Sequence, residues 1–200
     1  MVAFAVLGYA AFEFAGHVTS HGAAQPALAA GQQASKAAAS ASAASASAAA
    51  PPLRTIAPVS AEAFGPDGTA DGDNPQNAGR VLTDPADGWV TQWYATANFG
   101  ALKQGTGLLL DMGHTVTIAT VRLTLGSYPG TNLELRLGTS PVFGALPVVA
   151  SANNAGTVLS LSLKAPVRAR YVLLWFTKLP PDGVGTYQEF VHGVTVQGRR

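Results

Sequence analysis

The sequence predicts an all-β fold, an antiparallel β-sandwich of the jelly-roll kind, preceded by an apolar N-terminal helix and a low-complexity linker. Three observations lead there. Several segments beyond Arg54 alternate apolar and polar residues with period two, the mark of half-buried strands. Gly/Pro clusters such as Ser127-Tyr128-Pro129-Gly130 and Pro180-Pro181-Asp182-Gly183 punctuate them. No long amphipathic helix is legible after residue 54, which leaves strands to supply both layers of a core.

In chain order, residues 1–18 form the apolar segment, 19–53 the linker and 54–200 the β domain. Met1 to Gly16 is almost wholly apolar. As a helix those residues rise ~24 Å, short of the ~30 Å hydrocarbon core of a bilayer. Glu13 sits near one end, and no Lys or Arg precedes the segment to form a basic signal-peptide n-region. Three readings fit: the surviving end of a transmembrane helix from a longer chain, a complete signal anchor, or a soluble apolar helix. The linker stretch 34–52 (ASKAAASASAASASAAAPP) has no aromatic and no bulky aliphatic residue, so it cannot fold alone. Fully extended, His17 to Pro52 reaches on the order of 100 Å. The layout reads as anchor, stalk and displayed domain, with the domain outside a cell membrane.

Within the domain, Val116 and Ile118 share one parity and Val121, Leu123 and Leu125 the other, so a β-bulge is expected near Ala119-Thr120. Asp111-Met112-Gly113-His114 reads as a turn between two strands, with His114 exposed. Leu133, Leu135 and Leu137 alternate with Glu134 and Arg136, and Leu159, Leu161 and Leu163 with Ser160 and Ser162. Tyr171 to Phe176 (YVLLWF) is apolar on both parities, as in a central strand covered on both faces. Phe190, His192, Val194 and Val196 form a last strand, which makes His192 a hydrogen-bonded core histidine. Trp89, Phe99 and Trp175 are expected in the core, with Trp93 capping it as the alternative to a ligand role.

Lys and Arg number 12 against 11 Asp and Glu, a formal net charge of +1. That balance argues against a nucleic-acid or acidic-membrane binder, and the only basic doublet is Arg199-Arg200. The absence of cysteine excludes disulfides and Cys-based zinc sites. No G-x-S-x-G, H-E-x-x-H, P-loop or dinucleotide fingerprint is present. Asp84 and Asp87, three residues apart in a turn, make a poor glycosidase pair. The expectation is a protein that is not an enzyme.

The order of the blocks Asp84-Pro85-Ala86-Asp87-Gly88-Trp89, Leu108–Gly113, Val116–Leu123, Ala169–Leu174 and Val194–Gly198 resembles the discoidin, or coagulation factor 5/8 type C, fold with its galactose-binding-like sandwich. More narrowly, Trp93-Tyr94, Asn98-Phe99-Gly100, Leu102-Lys103, Gly105-Thr106-Gly107 and Leu179–Gly183 resemble the extracytoplasmic C-terminal domain of actinobacterial MviN/MurJ-type lipid II flippase homologues and related kinase-like envelope proteins. The resemblance covers about residues 59–199. It implies an accessory binding module without catalysis, in an envelope context. It also implies a structural calcium held by an Asp-rich loop and a Glu near the last strand. Here Asp84 and Asp87 occupy that loop, but Leu82 and Gly193 stand where carboxylates are expected. Calcium takes six to eight oxygens, so the set falls short and no cofactor is expected.

The candidate ligand-binding residues are Trp93, Tyr94, Tyr128 and Tyr187, lining one rim, with Lys103, Asp182 and Gln188 as polar partners. Sugar recognition uses aromatic faces plus a few orienting polar groups. The candidate metal residues are Asp67, Asp71 and Asp73. Asp67, Thr69, Asp71 and Gly72 match positions 1, 3, 5 and 6 of a calcium loop, but position 12 is Ala78, and a solvated acidic turn is the competing reading. His17 and His21 share a helix face where anchor meets stalk, which suits an interfacial role. The sequence thus points to a membrane-tethered module for cell-wall glycan, peptidoglycan or its precursor. The alternative is a docking domain for envelope proteins.

Overall fold

The computed structural model describes residues 51–200. The apolar segment 1–18, His17 and His21, and nearly all of the linker lie outside the described residues. Eight strands run β1 (Arg54–Ile56), β2 (Ser60–Phe64), β3 (Trp89–Val90), β4 (Thr106–Leu125), β5 (Thr131–Gly138), β6 (Val148–Ala155), β7 (Val158–Lys178) and β8 (Phe190–Arg199). One short α-helix, α1 (Arg80–Thr83), lies between β2 and β3. Among the described residues, no helix is long and apolar enough to cross a membrane.

All pairings are antiparallel, and the two longest strands serve two layers each. The first half of β4 pairs with β2 and with the second half of β7, which pairs with β5, and β5 with β6. The second half of β4 pairs with the first half of β7 and with β8, which carries β1 and β3 on its other edge. The sandwich core lies between, with Leu108, Leu110, Leu133, Leu135, Leu137, Val172, Leu174 and Phe176 from the first layer and Ile118, Val121, Leu123 and Val196 from the second, all buried. Outside the first layer, Leu146 and Phe143 cover Phe64, Leu109, Leu173 and Trp175. This second cluster is why Tyr171–Phe176 is apolar on both parities.

The expected bulge is present: the register of β4 slips between Ile118 and Thr120. The expected turn at Asp111–His114 is not a turn. It lies inside β4 as a second irregularity, between Asp111 and Val116, where the strand passes from one layer to the other. Gly113 takes φ +78° there, a conformation that costs glycine least. Asp111 accepts its N–H at 2.7 Å and two bonds from Arg170 at 2.9 and 2.8 Å, and the Arg170 contact holds its carboxyl below the usual range.

The last strand also departs from expectation. Between Thr124↔Gly193 and Leu125↔Val191 the register slips, so parity reverses at His192. Val191 enters the core and Phe190 turns outward, 38% exposed. His192 is half-buried, with Nδ1 3.1 Å from the Pro85 carbonyl, and is not a core histidine.

Candidate functional site

Strand pairing gathers one set of loops at a single end of the sandwich. Phe64 faces Gly107, Thr106 faces Phe176, and Thr131 faces Ala155, so β2, β4, β7, β5 and β6 of the first layer begin or end together. Leu125 faces Val191 and Thr124 faces Val158, and the short 126–130 loop carries β4 directly to β5 at the same end. Loops 65–75, 91–105, 126–130 and 179–189 therefore converge there. They are tied to one another: Tyr94 and Tyr187 exchange two backbone bonds of 2.9 Å, Leu179 donates to Ala97 at 2.9 Å, and the Gln188 amide donates to the Thr91 carbonyl at 2.7 Å. All seven residues predicted to bind ligand sit in these loops.

Three of the seven line a cleft of 210 Å³: Tyr128, Asp182 and Gln188. The wall is completed by Pro180, Phe190 and His192. Tyr128 is 48% exposed, and the Phe190 and His192 rings stack at 6.1 Å and 14°. The Asp182 carboxylate faces its own loop, accepting the Thr186 hydroxyl and the N–H groups of Val184 and Thr186 at 2.9 and 3.0 Å. Those bonds, the hydroxyl first, hold its carboxyl below the usual range. Asp182 thus shapes the wall and offers little to a ligand. Beneath the cleft Glu189 is fully buried. It accepts bonds from the Thr131 hydroxyl and from the N–H groups of Gly126 at 3.2 Å and Phe190 at 3.0 Å. Burial pushes its carboxyl up to about 7.

Sequence reasoning missed Phe190 and His192 because they share the parity of Val194 and Val196, which hid the register slip that turns Phe190 outward, and it missed Glu189 because that residue precedes the strand.

Four predicted residues do not enter the cleft. Tyr94 is 6% exposed, packed edge-on to Phe99 at 5.3 Å, and its hydroxyl donates to Asp73 at about 3 Å. Burial and the Asp73 charge push that phenol up. It is a core residue, not a rim aromatic. Lys103 is likewise engaged, with Nζ 2.7 Å from Asp73. Trp93 is 65% exposed and so does not cap the core. Tyr187 is half-buried and packs against the core while pairing with Tyr94.

The calcium-loop reading fails for a definite reason. Asp73 is buried, accepting Lys103, Tyr94 and the Gln92 N–H at 3.0 Å, while Asp67 and Asp71 remain exposed. Among the described residues no group of three His, Cys, Asp or Glu is placed to hold a metal. Asp84 and Asp87 are tied within one turn: Asp84 accepts the Asp87 N–H, and Asp87 pairs with Arg80, both at 3.4 Å.

Gly183 adopts φ +85°, and a Cβ there would lie 2.2 Å from the Tyr128 hydroxyl. Gly183→Ala is therefore expected to cost about 1–2 kcal/mol in left-handed strain and to displace Tyr128. A thermal melt and a change in tyrosine fluorescence check it.

No family model matches the sequence. Among solved structures, the chain is similar to the family 32 carbohydrate-binding module of C. perfringens NanJ, which was determined in complex with galactose. The TM-score is 0.52 at 14% identity, covering 73% of this chain and 99% of that one. It is similar also to chitosan-binding module 1 of a chitosanase/glucanase from Paenibacillus sp. IK-5, with TM-score 0.50, 13% identity, and coverage of 72% and 97%. A third similarity is to truncated AlyQ, which holds CBM32 and alginate lyase domains: TM-score 0.51, 17% identity, 74% of this chain but 34% of that one. At such identities the likeness shows the fold alone, a jelly-roll β-sandwich.

Proposed function

We propose that the domain is a non-catalytic glycan-binding module that takes a single sugar unit in the cleft between Tyr128 and Phe190. The observation that carries this reading is the pairing of two exposed aromatic side chains with the Gln188 amide around 210 Å³ of space. That volume is below the ~300 Å³ at which drug-sized pockets begin, and aromatic faces suit the C–H surface of a sugar ring. The fold likeness to carbohydrate-binding modules supports it. Non-catalytic action is supported by the state of the rim carboxylates: Asp73 is ion-paired, Asp182 faces its own turn and Glu189 lies under the surface. The apolar segment and linker support tethering to a membrane with the domain outside. The narrower sequence resemblance to flippase-associated domains supports peptidoglycan or its precursor as the glycan.

The test is binding of the full chain to isolated peptidoglycan and to soluble muropeptides. Tyr128→Ala and Phe190→Ala are each expected to weaken binding about tenfold, a loss of roughly 1.4 kcal/mol, with the thermal melt unchanged. Wild-type protein that binds neither probe overturns the reading. A docking domain for an envelope protein is the second reading, favoured by the exposure of Trp93 and Val184 at the same end. It predicts that Trp93→Ala, and not Tyr128→Ala, abolishes cross-linking to a membrane partner.

A further inference from the structure

Near-neutral net charge conceals a segregation of charge. Four ion pairs occur among the described residues, and they use Arg80, Lys103, Arg136 and Arg170. Arg54, Arg122, Lys164, Arg168, Lys178, Arg199 and Arg200 have no carboxylate partner among the described residues. The register collects Arg122, Arg168 and Arg199 on the outer face of the second layer, with Lys164 two residues beyond Ser162, while Lys178 stands opposite Asn132 at the other end of β7. Thr117 on β4 faces Arg199 on β8 and Arg168 on β7, so the three form one row across the sheet. Thr120 faces Gln197 and Ser162 in the next row, and Arg122 faces Thr195 and Ser160 in the one after. Their strand neighbours Val116, Ile118, Val121, Leu123, Leu161 and Val196 are buried in the core, so these rows point away from it. Strands lie ~4.8 Å apart, which sets Arg199 and Arg168 roughly 10 Å apart. Arg54 pairs with Gly198 and shares the inward parity of Ile56 and Val196, so it stands off this face at the start of β1. No Asp, Glu or aromatic residue stands in the three rows.

We infer that this outer sheet face binds a linear acidic polysaccharide, its arginines taking carboxylates and its Thr, Ser and Gln side chains taking sugar hydroxyls. The inference goes beyond the cleft and does not depend on it. Charge complementarity calls for a polyanion, and the composition of the rows selects which one. Nucleic-acid binding to single strands uses aromatic platforms, and the rows have none. A bilayer is gripped by apolar side chains inserted beside the cations, and the rows present none. What remains between the arginines is hydroxyl and amide, the complement of a hydrated sugar chain. The planar guanidinium fork matches a carboxylate in two bonds. Each exposed pair is individually weak, so affinity comes from several at once and is sensitive to salt.

The test is retention of the full chain in gels containing polygalacturonate, with fully methyl-esterified polygalacturonate as the uncharged control. Retention on the acid form, loss on the ester, and loss in about 0.5 M salt are expected. The triple variant Arg122→Gln, Arg168→Gln, Arg199→Gln is expected to bind at least tenfold more weakly, while Lys178→Gln, which removes a cation opposite Asn132 at the other end of β7, binds as wild type. Arg199 also donates to the Pro51 carbonyl at 2.6 Å, so a second triple variant with Lys164→Gln in place of Arg199→Gln separates charge from folding. The inference is overturned by no retention of wild type or by triple variants that are both retained as strongly as wild type. It is overturned too by wild type that binds phosphatidylglycerol over phosphatidylcholine vesicles while ignoring the polymer.

Discussion

Asp73→Ala is expected to destabilise the domain by about 3–5 kcal/mol, the range for breaking one side of a buried ion pair. The carboxylate is 4% exposed and is the shared acceptor for Lys103, the Tyr94 hydroxyl and the Gln92 N–H. Removing it leaves a largely buried ammonium and the buried Tyr94 hydroxyl without a partner, the latter costing about 1–3 kcal/mol if water does not enter, and it frees the part-buried Gln92 N–H. The change also loosens the tie between loops 65–75 and 91–105, since the Asp73 backbone carbonyl accepts Trp89 Nε1 at 2.8 Å in the same cluster. Urea denaturation should show a lower midpoint at unchanged m-value. The control is Asp73→Ala with Lys103→Met. Deleting both charges should cost less than deleting one, because the stranded ammonium accounts for most of the loss. A single variant within about 1 kcal/mol of wild type would mean that water already reaches the cluster.

Periodicity made the layers legible. Leu133, Leu135 and Leu137 alternate cleanly because β5 has a covered inner face and an open outer one, and the parity slip near Ala119 marks a bulge that the register contains. Tyr171–Phe176 was readable as central because a strand buried on both faces must be apolar on both parities. Local pattern failed where a side chain's direction depends on a distant partner. Asp73 sits among Asp67 and Asp71 in what reads as a solvated acidic loop, yet the Lys103 that neutralises it lies 30 residues on. Tyr94 reads as a rim aromatic for the same reason, since only the fold places its hydroxyl over Asp73. At His192 the bulge exchanges inside for outside, moving Phe190 to the cleft wall. Loop membership of the site was thus visible, and which loop residues face the cleft was not. Net charge was equally uninformative about the second layer, because a sum carries no positions.

The second large effect is a stability that declines as pH rises toward neutrality, with Glu189 as its source. Glu189 is enclosed by Thr131, Gly126 and Phe190, and burial raises its carboxyl from the ordinary 4.5 to about 7. Between those values the folded state holds a proton that the unfolded chain has released. Stability is therefore highest below about 4.5 as far as this group is concerned, falls through the window, and reaches its full penalty above about 7. The span corresponds to roughly 3 kcal/mol at 1.36 kcal/mol per unit. Asp111 and Asp182, whose carboxyls are held low, act in the opposite sense and only at more acid pH, as stability is lost below their ordinary 3.8. Glu189→Gln removes the ionisation while keeping the geometry. Its amide oxygen can accept the Gly126 and Phe190 N–H groups, and its amide nitrogen can donate to the Thr131 oxygen. The variant should be more stable than wild type at pH 8 by about 2–3 kcal/mol and close to it at pH 5, measured by urea midpoints across pH 5–8. A Gln variant that keeps the wild-type slope would place the titration elsewhere. Because Gly126 and Phe190 begin two walls of the cleft, the charge on Glu189 bears on the site as well as the fold. Ligand binding in the cleft should weaken from pH 6 to pH 8 in wild type and stay level in Glu189→Gln.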